Sequence, residues 1–353
     1  MNASIITYVK VIGKSMFRGM GKMKKIFFVS TENGCNNNCI GCADNNLNKP
    51  KKGRDMNKIF KDLELGAEKG YKNLHLAGGE VTIQDNIFDI LQKANELYDE
   101  IYITSNGRIF SYRSFAKKIV DSGVTQFNIT LCGPNQKIHE AWTRTPGSFK
   151  QTIKGIKNLR SLTNNICVNY LIWRKSLYKV KNTLLLLKKL GIKHIDFFNL
   201  APLGRGKTYY NQLYAPLKDL LKLEKQVSLF DSFSDIEIED FPLCVFSDVF
   251  MNKSNIHVFD TSGRIYKDEK GNIETYSLFA AKEFNFCINS NLTVQKDIKK
   301  MENKFKTYKI KIKECNNCLK KDSCGGIFSD YIKLVGECQI KKEITHLREK
   351  QNY

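Results

Sequence analysis

From Lys25 to about Leu200 the chain alternates short β-branched or aromatic runs with longer amphipathic stretches, and that rhythm restricts the fold more than any other feature. Strand-like runs fall at 26–30, 73–77, 101–104, 127–131, 166–172 and 194–198. Helix-like stretches run from about 55 to 70, where Ile59, Phe60, Leu63 and Leu65 make one apolar face, then at 85–97, 112–121, 148–161 and 177–190. Six strands joined by crossover helices imply right-handed βα units and a parallel sheet. The expected fold class is α/β: curled, a partial (βα)6 TIM-like barrel; open, a doubly wound sheet. The rhythm breaks after 201–207. A helix is expected near 215–228, one more strand at 235–239, and hairpin-like structure beyond Pro242, with 257–260 as a strand and turns at 261–264 and 268–272. The chain therefore divides into a basic N-terminal arm (1–24), a barrel core (25–232) and a cysteine-rich C-terminal domain (233–353).

With 353 residues and 42% hydrophobic content the chain can bury a substantial core, which excludes global disorder. It has no run of 18 or more apolar residues, so no membrane span is expected. The first 25 residues hold six Lys or Arg and no acid, without a continuous apolar stretch, and read as a loosely packed arm rather than a targeting signal. The formal charge is +21, but only ten of the 57 basic residues are Arg, and the lysines are dispersed. A generic basic surface explains this better than a nucleic-acid site, and an acidic peptide partner would suit it equally.

Eleven cysteines fall into two groups with isolated members between them, a pattern of metal ligation in a reducing cytoplasm rather than a disulfide frame. Cys35, Cys39 and Cys42 lie in a polar loop directly after the first strand. Three thiolates within eight residues can wrap one metal centre, and an iron–sulfur cluster needs no fourth protein ligand if one iron is to meet substrate. A zinc knuckle is the plainer alternative, but no fourth partner lies nearby in sequence. One βα unit later, Gly78, Gly79 and Glu80 close the second strand. The glycines permit close backbone approach, and Glu80 offers a carboxylate to an ammonium group.

This loop, with the Gly-Gly-Glu after the next strand, resembles the signature of the radical S-adenosylmethionine superfamily over roughly residues 25–210. The resemblance implies a 4Fe-4S cluster on Cys35, Cys39 and Cys42, with the fourth iron chelated by S-adenosylmethionine. It further implies reductive cleavage to a 5′-deoxyadenosyl radical that abstracts hydrogen from a substrate, and an electron donor such as flavodoxin or ferredoxin. Cofactor contacts implied at strand ends are Gly78, Gly79 and Glu80, then Ser105 and Asn106, Thr130 near the ribose, Asn169, and the backbone around Leu200–Pro202. The superfamily often carries an aromatic residue before the last cysteine. Here that position is Gly41, so adenine contacts must come partly from elsewhere, such as Ile40 or backbone.

The spacing of Cys315, Cys318 and Cys324 resembles the auxiliary-cluster extensions called SPASM or twitch domains, common in enzymes that modify ribosomally made peptides. The resemblance implies an auxiliary 4Fe-4S cluster on Cys244, Cys315, Cys318 and Cys324, with Cys338 as a substitute ligand, and a peptide or protein substrate. The same four thiolates would serve a structural zinc. A nucleic-acid or small-metabolite substrate is the alternative, and a zinc-binding module without activity the third reading. Cys132 and Cys167 read as small core side chains, with Cys132 flanking the ribose site, and Cys287 has no assignment. His139 reads as a helix-surface residue and His194 as a strand residue, Trp142 as packing, and Arg144 as a possible substrate contact.

Overall fold

The computed structural model describes residues 6–9, 26–32, 34–43, 54–259, 265–267, 273–275 and 309–350. Cys287 and the turns expected at 261–264 and 268–272 lie outside them. Nine strands form one sheet in chain order: β1 (Ile6–Val9), β2 (Ile26–Glu32), β3 (Asn73–Gly78), β4 (Glu100–Ser105), β5 (Gln126–Leu131), β6 (Ile166–Ile172), β7 (His194–Asn199), β8 (Asp235–Glu239) and β9 (Ile256–Phe259). Strand β1 pairs antiparallel with β2, and β2 through β9 are parallel.

The α/β class holds, and the parallel sheet runs two strands beyond the six βα units. Residues 256–259 pair parallel with β8 rather than folding back as a hairpin, because the chain first crosses the sheet through a turn and a short helix, Asp248–Met251. Part of the N-terminal arm, 6–9, is an edge strand and not a loose tail. Further on, 265–267 and 273–275 do pair antiparallel. The helix expected near 215–228 is broken into 217–219, 221–224 and 227–230. Tight bonds such as Gln226 N to Leu223 O (3.1 Å) interrupt the α ladder there.

The helices take their places for local reasons. Helix α1 (Met56–Glu68) starts where the Asp55 side chain accepts from Lys58 N, and it buries Ile59 and Leu63. Helices α2 (Ile87–Leu97), α3 (Arg113–Asp121), α4 (Gln136–Thr143) and α5 (Ser148–Arg160) follow. Strand side chains alternate between faces, and the register carries one parity across the sheet. Phe27, Leu74, Ile101, Phe127, Val168, Ile195 and Ile236 fall on the face packed against the helices.

The opposite parity carries the polar strand residues His75, Asn128, Thr130, Cys167, Asn169, Asp196, Glu237 and Glu239, together with Phe28, Tyr102, Leu171 and Phe198. Buried polar side chains in strand interiors need hydrogen-bond partners. The C-terminal segment docks on the same body. Tyr331 Oη accepts from Leu217 N (2.9 Å) and donates to Glu343 (2.7 Å), and Lys309 Nζ lies 3.5 Å from Asp240.

Candidate functional site

After β2 the chain turns across the ends of the strands and presents Cys35, Cys39 and Cys42, all three free and half-buried. Three arginines from separate segments grip this loop. Arg108 donates to the Asn36 carbonyl and to Asn37 Oδ1 (3.0 Å). Arg144 donates to the Asn38 carbonyl (2.8 Å) and Asn38 Oδ1 (2.9 Å). Arg205 Nη1 donates to Asn38 Oδ1 (2.9 Å), and its amide to the Cys42 carbonyl (2.9 Å). The end of α4 adds two carbonyls: Thr143 O takes Asn38 N (2.9 Å) and Trp142 O takes Ile40 N (2.8 Å).

Glu80 is 1% exposed and serves as a cap and brace. Its Oε1 accepts from Thr82 N, Thr82 Oγ1 (2.6 Å) and Ser105 Oγ (2.7 Å), and its Oε2 from Asn106 N (2.7 Å). Burial raises its pKa, against the pull of those donors. Ser105 is buried and gives its hydroxyl to Glu80. Asn106 Nδ2 reaches Asn36 Oδ1 (2.6 Å) and Cys35 Sγ (3.8 Å), bracing the cysteine loop. Gly78 and Gly79 end β3 half-buried, Gly78 at φ 147°, a conformation that favours glycine. Thr130, Asn169 and Asp196 are successive register partners on the polar face. Beside them, carboxylate oxygens of Asp196, Glu237 and Glu239 lie within 4.8 Å of one another. Desolvation, then their mutual repulsion, pushes Asp196 and Glu239 well above the carboxylate range.

Gly41 has a steric reason. A Cβ there would meet Trp142 Cη2 at 2.2 Å, so the Trp142 ring occupies the space an aromatic side chain at 41 would fill. Trp142 is buried at 4% and tilted against Trp173, with ring centroids 5.2 Å apart. His139, expected on a helix surface, is buried instead, its Nδ1 accepting from Cys132 N (3.3 Å), because α4 lies with that face against the end of β5. Cys132 is buried next to Cys39, and Cys167 is buried on the polar face, within reach of the acidic residues. Sequence reasoning missed Arg205 and the brace role of Arg108; the Gly-Arg-Gly at 204–206 was the available signal.

The loop carrying Cys315, Cys318 and Cys324 folds against the turn carrying Cys244. Cys324 Sγ accepts from Leu243 N (3.5 Å) and Gly326 N (3.4 Å), and Lys320 ties the loop to Asp248 (3.1 Å). All four thiols are half-buried, whereas Cys338 is exposed at the start of the helix Glu337–Lys350.

Residues 29–187 match the family model described as the radical SAM superfamily, SAM being S-adenosylmethionine. The chain carries a radical SAM domain. An AdoMet-dependent heme synthase of Oleidesulfovibrio alaskensis is 25% identical over 173 residues, 49% of this chain and 44% of that protein, so the chain spans under half of this curated relative. Among solved structures, Streptococcus suis SuiB bound to precursor peptide SuiA superposes with TM-score 0.57 at 15% identity, covering 87% of this chain and 72% of that one. Native anSMEcpe with AdoMet and the Cp18Cys peptide gives 0.59 at 13%, covering 92% and 97%. At these identities the likeness is one of fold.

The radical SAM domain's donor set fits an anionic thiolate–metal centre. Burial, with Glu80 second, pushes the Cys35 thiol up to about 11, and burial holds Cys39 well above its usual range. Such thiols ionise only against a strong cation, which a metal centre supplies. The donors Asn37 N (3.4 Å) and Asn106 Nδ2 already point at Cys35 Sγ, ready for a thiolate.

Proposed function

We propose that the protein is a radical SAM enzyme that modifies a peptide or protein. The observation that carries this is the three-cysteine loop after β2, clamped by Arg108, Arg144 and Arg205 and braced by Asn106. Cys35, Cys39 and Cys42 would hold a 4Fe-4S cluster. With S-adenosylmethionine bound and one electron from a flavodoxin or ferredoxin, such a cluster would supply reductive carbon–sulfur cleavage and with it hydrogen-abstraction chemistry. The chain's own part is to position and to exclude water. Among the described residues Glu80 Oε2 accepts only from Asn106 N and keeps a lone pair for the cofactor's ammonium, beside the strand-end backbone at Gly78–Gly79. Thr130 and Asn169 offer polar contacts to the ribose, and Trp142 offers the apolar surface that Gly41 lacks.

Cys244, Cys315, Cys318 and Cys324 would hold the auxiliary 4Fe-4S cluster, supported by the two amide donors on Cys324. The peptide class is supported by two structural neighbours solved with bound peptides, SuiB with SuiA and anSMEcpe with Cp18Cys. The sequence match to a heme synthase favours a second reading, a small-molecule substrate.

The test is anaerobic reconstitution with iron and sulfide, reduction in the presence of S-adenosylmethionine, and assay of 5′-deoxyadenosine. Wild type is expected to form it, and Cys35→Ala, Cys39→Ala and Cys42→Ala to lose it. A fully loaded wild type that forms none would overturn the proposal.

A further inference from the structure

A short helix, Gly204–Thr208, follows β7 and lies directly on the cysteine loop. It approaches so closely because of its glycines. A Cβ at Gly204, where φ is +47°, would meet Ala43 O at 2.3 Å and Cys42 O at 2.8 Å; one at Gly206 would meet Gly41 O at 3.2 Å. Between them, Arg205 is 8% exposed. Its amide and its Nη1 are both engaged with the loop, at Cys42 O and Asn38 Oδ1. Its Nε–H is buried and finds no acceptor.

Leaving a buried, charged N–H unpaired is costly, so a fold that keeps one here is short of an acceptor. The surroundings indicate which one. Cys35 Sγ already receives donors from Asn37 and Asn106. Arg205 Nη1 is held on Asn38, the neighbour of Cys39 in the chain, and the guanidinium charge acts on the Cys39 thiol. We propose that Arg205 Nε–H is the hydrogen-bond donor for sulfur on the Cys39 side of a cluster held by this loop, and that it raises the cluster's reduction potential.

The physical basis is general: an N–H directed at cluster sulfur, carrying a positive charge, stabilises the more negative reduced state. Arg205 is thereby a tuning residue, acting on the electron-accepting step and not on substrate. The inference rests on the reading of the loop as an iron–sulfur site, and the experiment separates the two.

The cluster's midpoint is measured in wild type, Arg205→Lys and Arg205→Gln by potentiometric titration followed by electron paramagnetic resonance, without S-adenosylmethionine, with iron counted in each sample. Wild type that takes up no iron overturns the proposed function and leaves no cluster for Arg205 to tune. With wild type loaded, both variants are expected to titrate lower. In Arg205→Gln the reduced-to-oxidised ratio at a fixed potential should fall about tenfold, which is about 59 mV for a one-electron couple. Arg205→Lys, which keeps the charge but not the Nε–H, should lie between. Should Arg205→Gln fail to load, Arg205→Lys alone decides. A merely structural arginine would lower iron uptake while leaving the midpoint of the clusters that form unchanged, and that result overturns the inference. A shift that arises only once S-adenosylmethionine is added overturns it too, since the acceptor would then be the cofactor's carboxylate.

Discussion

His75 and His139 are buried rings whose protonation the fold opposes. His75 Nε2 lies 2.7 Å from Thr104 Oγ1, and His139 Nδ1 is taken up by Cys132 N. Burial pushes both down to about 4, with Arg108 adding to the effect at His139. In the unfolded chain each titrates near ~6.5. Between these values the unfolded state binds more protons than the folded one. Stability is therefore complete above about pH 6.5, falls as pH drops, and loses the full contribution by about pH 4, roughly 3 kcal/mol for each ring. Denaturant unfolding of wild type and His75→Asn from pH 7 to 4 checks this. The variant is expected to show the shallower acid limb, and parallel curves would contradict the assignment. Arg144, at φ 49°, is one of two non-glycine residues with positive φ among those described, and its side chain holds Asn38.

Elements meet around the cysteine loop with little room to spare. The loop is a third layer between the strand ends, α4 and the helix Gly204–Thr208. The contact with α4 depends on the absence of a side chain at 41. Gly41→Ala would drive a methyl into the Trp142 ring, and overpacking of this kind costs about 1–3 kcal/mol. The expected result is a lower unfolding midpoint together with reduced iron uptake, because displacing Trp142 strains the backbone bond from Ile40 N to the Trp142 carbonyl. Adding Trp142→Leu in the same chain should recover part of both, whereas equal behaviour of Gly41→Ala and wild type would remove the steric account.

At the scale of the whole molecule, the C-terminal cysteines and the barrel form one body, joined through Tyr331, Lys309 and the turn at Cys244. If two clusters are present, anaerobically loaded wild type should hold about eight iron atoms per chain and Cys324→Ser about four. A structural zinc at the second site predicts about four iron in both and zinc only in wild type. Metal analysis of the two proteins distinguishes these outcomes directly. Among the described residues no helix is long and apolar enough to cross a membrane.

The βα order, the class of the sheet and the loop holding the three cysteines were legible from the sequence, because side-chain period and metal-ligand spacing are local properties. Gly41 was visible only as a departure, and its reason, the Trp142 ring, comes from a residue 101 positions away. Glu80 was read as a carboxylate offered to an ammonium group, and the tertiary structure adds donors from Thr82, Ser105 and Asn106 around it. Strand β9 looked like half of a hairpin because a four-residue strand carries no sign of its partner's direction. The sequence by itself determined which residues could bind metal and which segments alternate. Only the tertiary structure decided which side chains were already committed to one another, as with Glu80, and which buried donor, Arg205 Nε, was left without a partner. Hydrogen-bond saturation and steric exclusion depend on distances between residues remote in the chain, which no local pattern records.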